Sequence, residues 1–329
     1  MNTEIRLARH LTSELTTDHF DVVEDLDMPD GEVLVHVDYV GLSVAYLEMM
    51  RADSHLPIPP WQPGQRVGVA GVGTVIRSDS DALKTGDLVA TMTGWSEYAA
   101  GPAAAFPRLD RELFPSPVYH LGQGPTAYHG MVDIAEVGPG DVVFVSGAAG
   151  GVGSLAGQIA RCRGAATVIG SAGSPAKVDY LVRELGFDAA FDYHDGPPAD
   201  RLRELAPDGI TVFFDNVGGT QFDAAVANAR PGARFALCGS LATQIGDHPE
   251  RFPEPDLTAT TAKEIEVRPF ATHHTPDQIS AWQTHFATWH AEGRLTYPHT
   301  IVDGGLKAVP AALVDLLAGA YRGNVAVRL

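Results

Sequence analysis

The chain is poor in positive charge, and poorer still in lysine. Against 41 acids stand 23 basic residues, 4 of them lysines, and the formal net charge is −18. Such a surplus repels nucleic acid and anionic membrane, and no cluster of Lys and Arg offsets it. Apolar runs are short. None approaches the roughly 20 residues of a membrane-spanning helix, so a soluble protein is expected. The opening stretch "MNTEIRLARHLTSE" is polar and broken by charge, without the apolar core of a secretion signal, so a cytoplasmic location is expected. Cysteine is almost missing. Cys162 and Cys238, in a predicted helix and at a predicted strand end, point to a reducing compartment and cannot build a Cys-based zinc lobe.

What is present reads as two domains. The chain has 329 residues, with 45% hydrophobic and 19% charged, enough for two cores of ordinary composition. Residues 1 to about 120 give short strands between turn residues: "EVLVHVDYV" (32–40), "RVGVAGVGTVIRS" (66–78) and "DLVATM" (87–92). Their alternation predicts a compact, mostly antiparallel, barrel-like domain. From about residue 123 strands alternate with helices. "DVVFVSG" (141–147), "ATVIGS" (166–171), "AAFDY" (189–193), "ITVFFD" (210–215), "ARFALCG" (233–239) and "EIEVRPF" (264–270) read as strands, with helices at 153–164 and 175–186. That order predicts a parallel sheet wrapped by helices. Residues 275–293 predict a further helix, with Thr275 as cap, Pro276 in the first position, and Ile279, Trp282, Phe286 and Trp289 on one face, whose aromatics read as core packing.

Between the first such strand and its helix lies "VSGAAGGVGSLAGQIA" (145–160). Ala148, Gly150 and Gly153 stand at the spacing of G-x-G-x-x-G, with alanine in the first place. In this context the backbone from Gly150 through Gly151 and Val152 to Gly153 predicts a pyrophosphate site at a helix N-terminus. After the next strand an NAD-binding chain places an acid for the ribose 2′-hydroxyl. Here "GSAGSPAK" (170–177) has none. Ser171, Ser174 and Lys177, with Tyr193 at the end of the following strand, offer hydroxyls and a cation instead. That set suits the 2′-phosphate of NADPH and argues against NADH.

A catalytic zinc site is not legible. "GLSVAYLEMM" (41–50) carries Ser43 and no cysteine, "QPGQRVGVAGVG" (62–73) has no His–Glu pair, and His273–His274 is an adjacent pair in a loop. Hydride addition to the β-carbon of an enone or quinone, where the oxygen needs a hydrogen-bond donor, is the reaction this pattern suits.

The ordered set "YVGLSV" (39–44), "GVGTVIRS" (71–78), "TGWSEYA" (93–99), "GPTAYHG" (124–130), "SGAAGGVGSLAGQIA" (146–160), "PDGITVFFDNVGG" (207–219) and "FALCGS" (235–240) resembles the zinc-independent medium-chain dehydrogenase/reductases. Within them it is most similar to the prostaglandin, curcumin and alkenal double-bond reductases. The resemblance implies a GroES-like barrel from residues 1–122 plus 300–329, and a Rossmann domain, 123–299, inserted into it. It implies an active site in the cleft between them, NADPH as cofactor, and homodimers through Rossmann edge strands. Lys177 and Tyr193 would hold the adenosine phosphate side. Asn216 and Cys238–Ser240 would line the dinucleotide, and the Phe270 backbone would meet the nicotinamide amide. Thr126 and Tyr128 would border nicotinamide and substrate.

Three departures stand out. "LSVAYLEMMR" lacks the family's Asp-Pro and moves its tyrosine to Tyr46. The family tyrosine after Cys-Gly is missing from "CGSLATQIG", and "GAYRGN" puts Tyr321 at a usual asparagine. Tyr128 and Tyr46 are therefore the candidate donors to a substrate carbonyl, beside the cofactor ribose. A quinone reductase, which needs less help from a tyrosine, and a dinucleotide-binding scaffold without turnover are the competing readings.

Overall fold

Val33, Val35 and Val37 alternate with half-exposed Leu34 and His36, and this period of two sets the central strand of the first sheet. The computed structural model describes residues 1–54, 59–239 and 257–329. It divides into two units, Met1–Gly122 with His299–Leu329, and Gln123–Pro298. In the first unit β1 (Asn2–Leu7) pairs antiparallel with β2 (Phe20–Leu26). The central β3 (Val33–Leu42) leads into a short helix, α1 (Tyr46–Met50). It is flanked by β4 (Gly71–Ser78) and β6 (Tyr98–Gly101), with β5 (Leu88–Thr91) on β4. The C-terminal strand Asn324–Arg328 joins β3 antiparallel and carries His299–Val302 parallel on its other side. Trp95 is fully buried in this core, against the rings of Phe20 and Tyr46.

Strands β1 and β2 are absent from the sequence reading because polar residues occupy inward positions of β1, while β2 is largely exposed and lacks an apolar alternation. Glu4 is buried, with Arg6 Nε at 2.5 Å and Arg66 Nε at 2.6 Å. Burial opposes its ionisation, but the two guanidiniums outweigh it and hold the carboxyl below the ordinary glutamate range.

The second unit begins with α2 (Gly124–His129) and contains β7 (Val142–Val145), β8 (Thr167–Ala172), β9 (Ala189–Asp192), β10 (Ile210–Asp215), β11 (Ala229–Leu237) and β12 (Glu266–Pro269). They form one parallel sheet in the order β12-β11-β10-β7-β8-β9. Helices α3 (Gly151–Cys162), α4 (Pro175–Arg183), α5 (Pro198–Leu205) and α6 (Gly219–Asn228) connect the strands. This is the doubly wound Rossmann order. The strand sequence reverses between β7 and β10, where such sheets open a crevice beyond their carboxyl ends. Stacked phenylalanines fill the core, with Phe144 and Phe213 centroids 5.0 Å apart.

The helix Pro276–Ala291 starts as expected: Gln278 N–H donates to Thr275 Oγ1, and Thr275 N–H donates to the Gln278 side chain. The aromatics Trp282, Phe286 and Trp289 are buried, as expected, while Ile279 on the same face is 37% exposed. The apolar face is one turn shorter than its sequence pattern. Thr275→Ala is expected to cost about 1 kcal/mol in chemical denaturation, and Ile279→Ala less than about 0.5 kcal/mol.

Candidate functional site

The turn between β7 and α3 is shaped by backbone. Gly147 has φ +57°, in the left-handed region that favours glycine. The first glycine's conformational role thus falls to Gly147, one place before Ala148, which is buried with its amide donating to Ser171 O at 2.8 Å. Gly150 is exposed and caps α3, and Gly151 and Val152 make its first turn. A Cβ on Gly153 would stand 2.5 Å from Gly147 O and 2.8 Å from Ala148 Cα. The helix can approach the strand this closely because that Cβ is missing, and its positive end is presented at Gly150.

Beyond β8 the expected phosphate residues separate. Ser171 is fully buried; it donates to Gln221 Oε1 and accepts from Gly147 N–H at 3.3 Å. Its expected role facing the phosphate is corrected: it fastens the glycine turn from beneath. Ser174 caps α4, accepting from Lys177 N–H at 3.4 Å. Tyr193, which is 41% exposed, reaches over the same turn, because a Cβ on Gly173 would lie 2.7 Å from its hydroxyl. Ser174, Lys177 and Tyr193 therefore border one loop. Lys177 lies in the first turn of α4, where the helix dipole disfavours a cation and an anionic ligand would reverse that cost.

At the switch point Ser146, Asp215 and Asn216 form a knot. Ser146 Oγ donates to Asp215 Oδ1 at 2.7 Å and accepts from Asn216 N–H at 2.8 Å. Asn216 Nδ2 donates to Ser146 O at 2.7 Å. Burial raises the Asp215 carboxyl, and the Val217 and Gly218 amides donate to it. Cys238 N–H and Gly239 N–H both donate to Asp215 O, which joins the ends of β10 and β11. Burial pushes the Cys238 thiol up to about 12, so it stays protonated. Ser240 lies outside the described residues.

Helix α2 divides its two candidates. Residues two apart face different ways on a helix. Tyr128 turns to the helix Pro276–Ala291, with its hydroxyl 3.0 Å from His285 Nδ1 and its ring against Trp282 and Trp289. Thr126 faces elsewhere, with Oγ1 2.8 Å from His274 Nε2. The two hydroxyls thus meet different histidines, His274 and His285. Phe270 follows β12, and its ring packs on Phe214 and on the bare face of Gly130, where a Cβ would stand 2.5 Å away.

Tyr46 belongs to the core of the first unit. Its hydroxyl donates to Gly41 O at 3.3 Å, and its ring lies 5.5 Å from Trp61 and 5.8 Å from Trp95. Burial pushes that hydroxyl up to about 12. The structure gives this hydroxyl a partner within the first unit, so Tyr46→Phe is expected to cost about 0.5–1.5 kcal/mol of stability in denaturant titration and to leave turnover unchanged. Tyr321 donates to Asp315 Oδ2 at 3.2 Å and packs on the same core, so its hydroxyl is used within the first unit.

A family model described as zinc-binding dehydrogenase matches residues 151–287, and one described as the N-terminal domain of oxidoreductase matches residues 3–109. The NADPH-dependent curcumin reductase of Escherichia coli (strain K12) is 31% identical over 318 residues, covering 93% of this chain and 90% of that protein. The chain belongs to the zinc-independent medium-chain dehydrogenase/reductases. Within that family, (+)-pulegone reductase from Mentha piperita is 33% identical, covering 92% of this chain and 90% of its own. The crystal structure of CurA from Vibrio vulnificus has a TM-score of 0.91 at 29% identity, covering 100% of this chain and 98% of that one.

Sequence reading missed Ser146, Gln221, His274 and His285 as partners of site residues. The doublet His273–His274 was visible, but its partner Thr126 is 148 positions away, and no local pattern connects them.

Proposed function

We propose that this medium-chain reductase uses NADPH to reduce the C=C bond of α,β-unsaturated carbonyl compounds. The observation that carries the cofactor choice is the loop bordered by Ser174, Lys177 and Tyr193. A cation and a capped helix start stand where a carboxylate would mark NADH. The residues present fit the dinucleotide, since the missing Cβ atoms at Gly153 and Gly173 keep α3 and the second loop close to their neighbours. Gly150, Gly151, Val152 and Gly153 hold the pyrophosphate, Lys177 with Tyr193 the 2′-phosphate, and Asn216, Cys238 and the Phe270 backbone the nicotinamide half.

When bound, NADPH supplies a hydride to the β-carbon of the alkene. The protein's part is to orient that face, to stabilise charge growing on the carbonyl oxygen, and to admit a proton to the α-carbon. The related curcumin, pulegone and alkenal reductases support this substrate class. Two free cysteines fit a reducing, cytoplasmic setting, and no helix among the described residues is long and apolar enough to cross a membrane. Strand β12, at one edge of the parallel sheet, is the surface through which we place a homodimer. The test is loss of NADPH absorbance with a panel of enones, enals and quinones. Turnover of enones and enals supports the reading. Tight NADPH binding without turnover of any of them overturns it in favour of a non-redox scaffold.

A further inference from the structure

We propose that Thr126 is the hydrogen-bond donor to the substrate's carbonyl oxygen, with His274 the positioning residue that turns its hydroxyl outward. This rests on the reductase reading above. It addresses a gap in the sequence: the tyrosine the family carries after Cys-Gly is absent from "CGSLATQIG", while Tyr46 lies in the core of the first unit and Tyr128 turns its ring onto Trp282 and Trp289 of the helix Pro276–Ala291.

The argument begins with proton bookkeeping. Thr126 is 9% exposed, and among the described residues its hydroxyl has His274 Nε2 as hydrogen-bond partner, at 2.8 Å. The other ring nitrogen, His274 Nδ1, is buried with no hydrogen-bond partner among the described residues. A neutral imidazole carries one proton, and an orphaned buried N–H is rarer and costlier than an unused lone pair. The proton therefore sits on Nε2 and is donated to Thr126 Oγ1. A threonine oxygen that accepts from His274 keeps its own O–H for another acceptor, and the accepted bond polarises that O–H.

The surroundings keep His274 neutral. Burial lowers its affinity for a proton, and His129 and His273 lower it further. His129 packs edge-on against the His274 ring at 5.7 Å and bonds Asp133 Oδ2 at 2.8 Å, so that carboxylate is engaged by His129. Gln278 Nε2 lies 3.1 Å from His129 Nδ1 and braces it from the next helix. The group is also in a suitable place. Gly130, at the end of α2, abuts Phe214 of β10 and Phe270 just after β12, at the carboxyl ends of strands where this sheet class binds ligands.

The chemistry balances without a new reactant. Hydride and its electron pair pass from NADPH to the β-carbon, the alkene pair moves onto the carbonyl oxygen, and solvent protonates the α-carbon. The cofactor is oxidised to NADP⁺ and the alkene reduced. Thr126 holds its proton throughout and donates a hydrogen bond to the oxygen as charge grows there.

The test uses full-length protein with Thr126→Val, Thr126→Ser, His274→Phe and His274→Gln. Thr126→Val and His274→Phe should lower kcat on an enone by about 100-fold, the lower end of the loss expected when a transition-state donor is removed. NADPH affinity should stay within about twofold, since neither change touches the phosphate grips. Serine restores the hydroxyl and glutamine restores an N–H donor, so both should recover most of the rate. A second readout is the infrared carbonyl stretch of a bound saturated ketone, lowered by wild type and returned toward its free value by Thr126→Val. Unchanged kcat and carbonyl stretch in Thr126→Val overturn the donor role, as does a loss of NADPH binding matching the loss of rate. Failure of serine and glutamine to rescue reduces the pair to packing. If wild type itself reduces no enone or enal, the reductase reading fails and the pair falls with it.

Discussion

Lys177→Ala is expected to weaken NADPH binding by about 10- to 100-fold while leaving NADH binding unchanged. A hydrogen bond to a charged group contributes roughly 1.5–3 kcal/mol, and each 1.4 kcal/mol is about tenfold in affinity. Lys177 stands in the first turn of α4, with Ser174 capping beneath it and the Tyr193 hydroxyl over Gly173. The 2′-phosphate is the one group NADPH has and NADH lacks, so if Lys177 holds it as proposed, its removal acts on the difference between them. Lys177→Arg should retain most of the preference, because the charge remains. Parallel fluorescence titrations with both cofactors decide the matter. Equal loss for NADPH and NADH would place Lys177 in general folding of α4, and no loss for either would remove it from the site.

Gly153→Val should remove measurable NADPH binding and lower the melting temperature. The new Cβ would stand 2.5 Å from Gly147 O and 2.8 Å from Ala148 Cα, and both obstacles are backbone. A flexible side chain could swing aside; this turn cannot, because Ser171 and Gln221 fasten it from below. Overpacking of this kind costs about 1–3 kcal/mol or more, or roughly 2–12 °C for a domain of this size. The displaced turn would also carry the amide end of α3 away from the pyrophosphate. Gly150→Ala is the control. Its Cβ meets Gly147 O at 3.4 Å, ordinary contact, so it should melt like wild type and weaken NADPH only by crowding the ligand. A Gly153→Val protein with wild-type melting and affinity would sink this account of the loop.

The parallel strands were readable because their apolar runs are buried on both faces; "ITVFFD" matches β10 (Ile210–Asp215) end for end. The glycine spacing was readable because backbone conformation and close approach constrain residue type locally. The missing acid after β8 was readable for the same reason, since ligand charge selects the residue at a fixed place in the fold. Where polar residues point inward the signal failed. Strand β1 hides behind Asn2 and Glu4; the Glu4 carboxylate is met by Arg66, a residue 62 positions away along the chain.

Side-chain roles divided along the same line. Sequence could place Ser171, Tyr46, Tyr128 and Thr126 near motifs, but not say which way each faces. Ser171 turned down to Gln221, Tyr46 into a tryptophan-lined core, and Tyr128 toward His285. Thr126 met His274 across 148 residues. The amino-acid sequence determined the fold, the phosphate loop and the charge offered to the cofactor, because periodicity, glycine and net charge act over short stretches of chain. Tertiary structure alone decided which hydroxyls remain available for chemistry, because a hydroxyl's partner is whatever distant segment packing brings within about 3 Å of it.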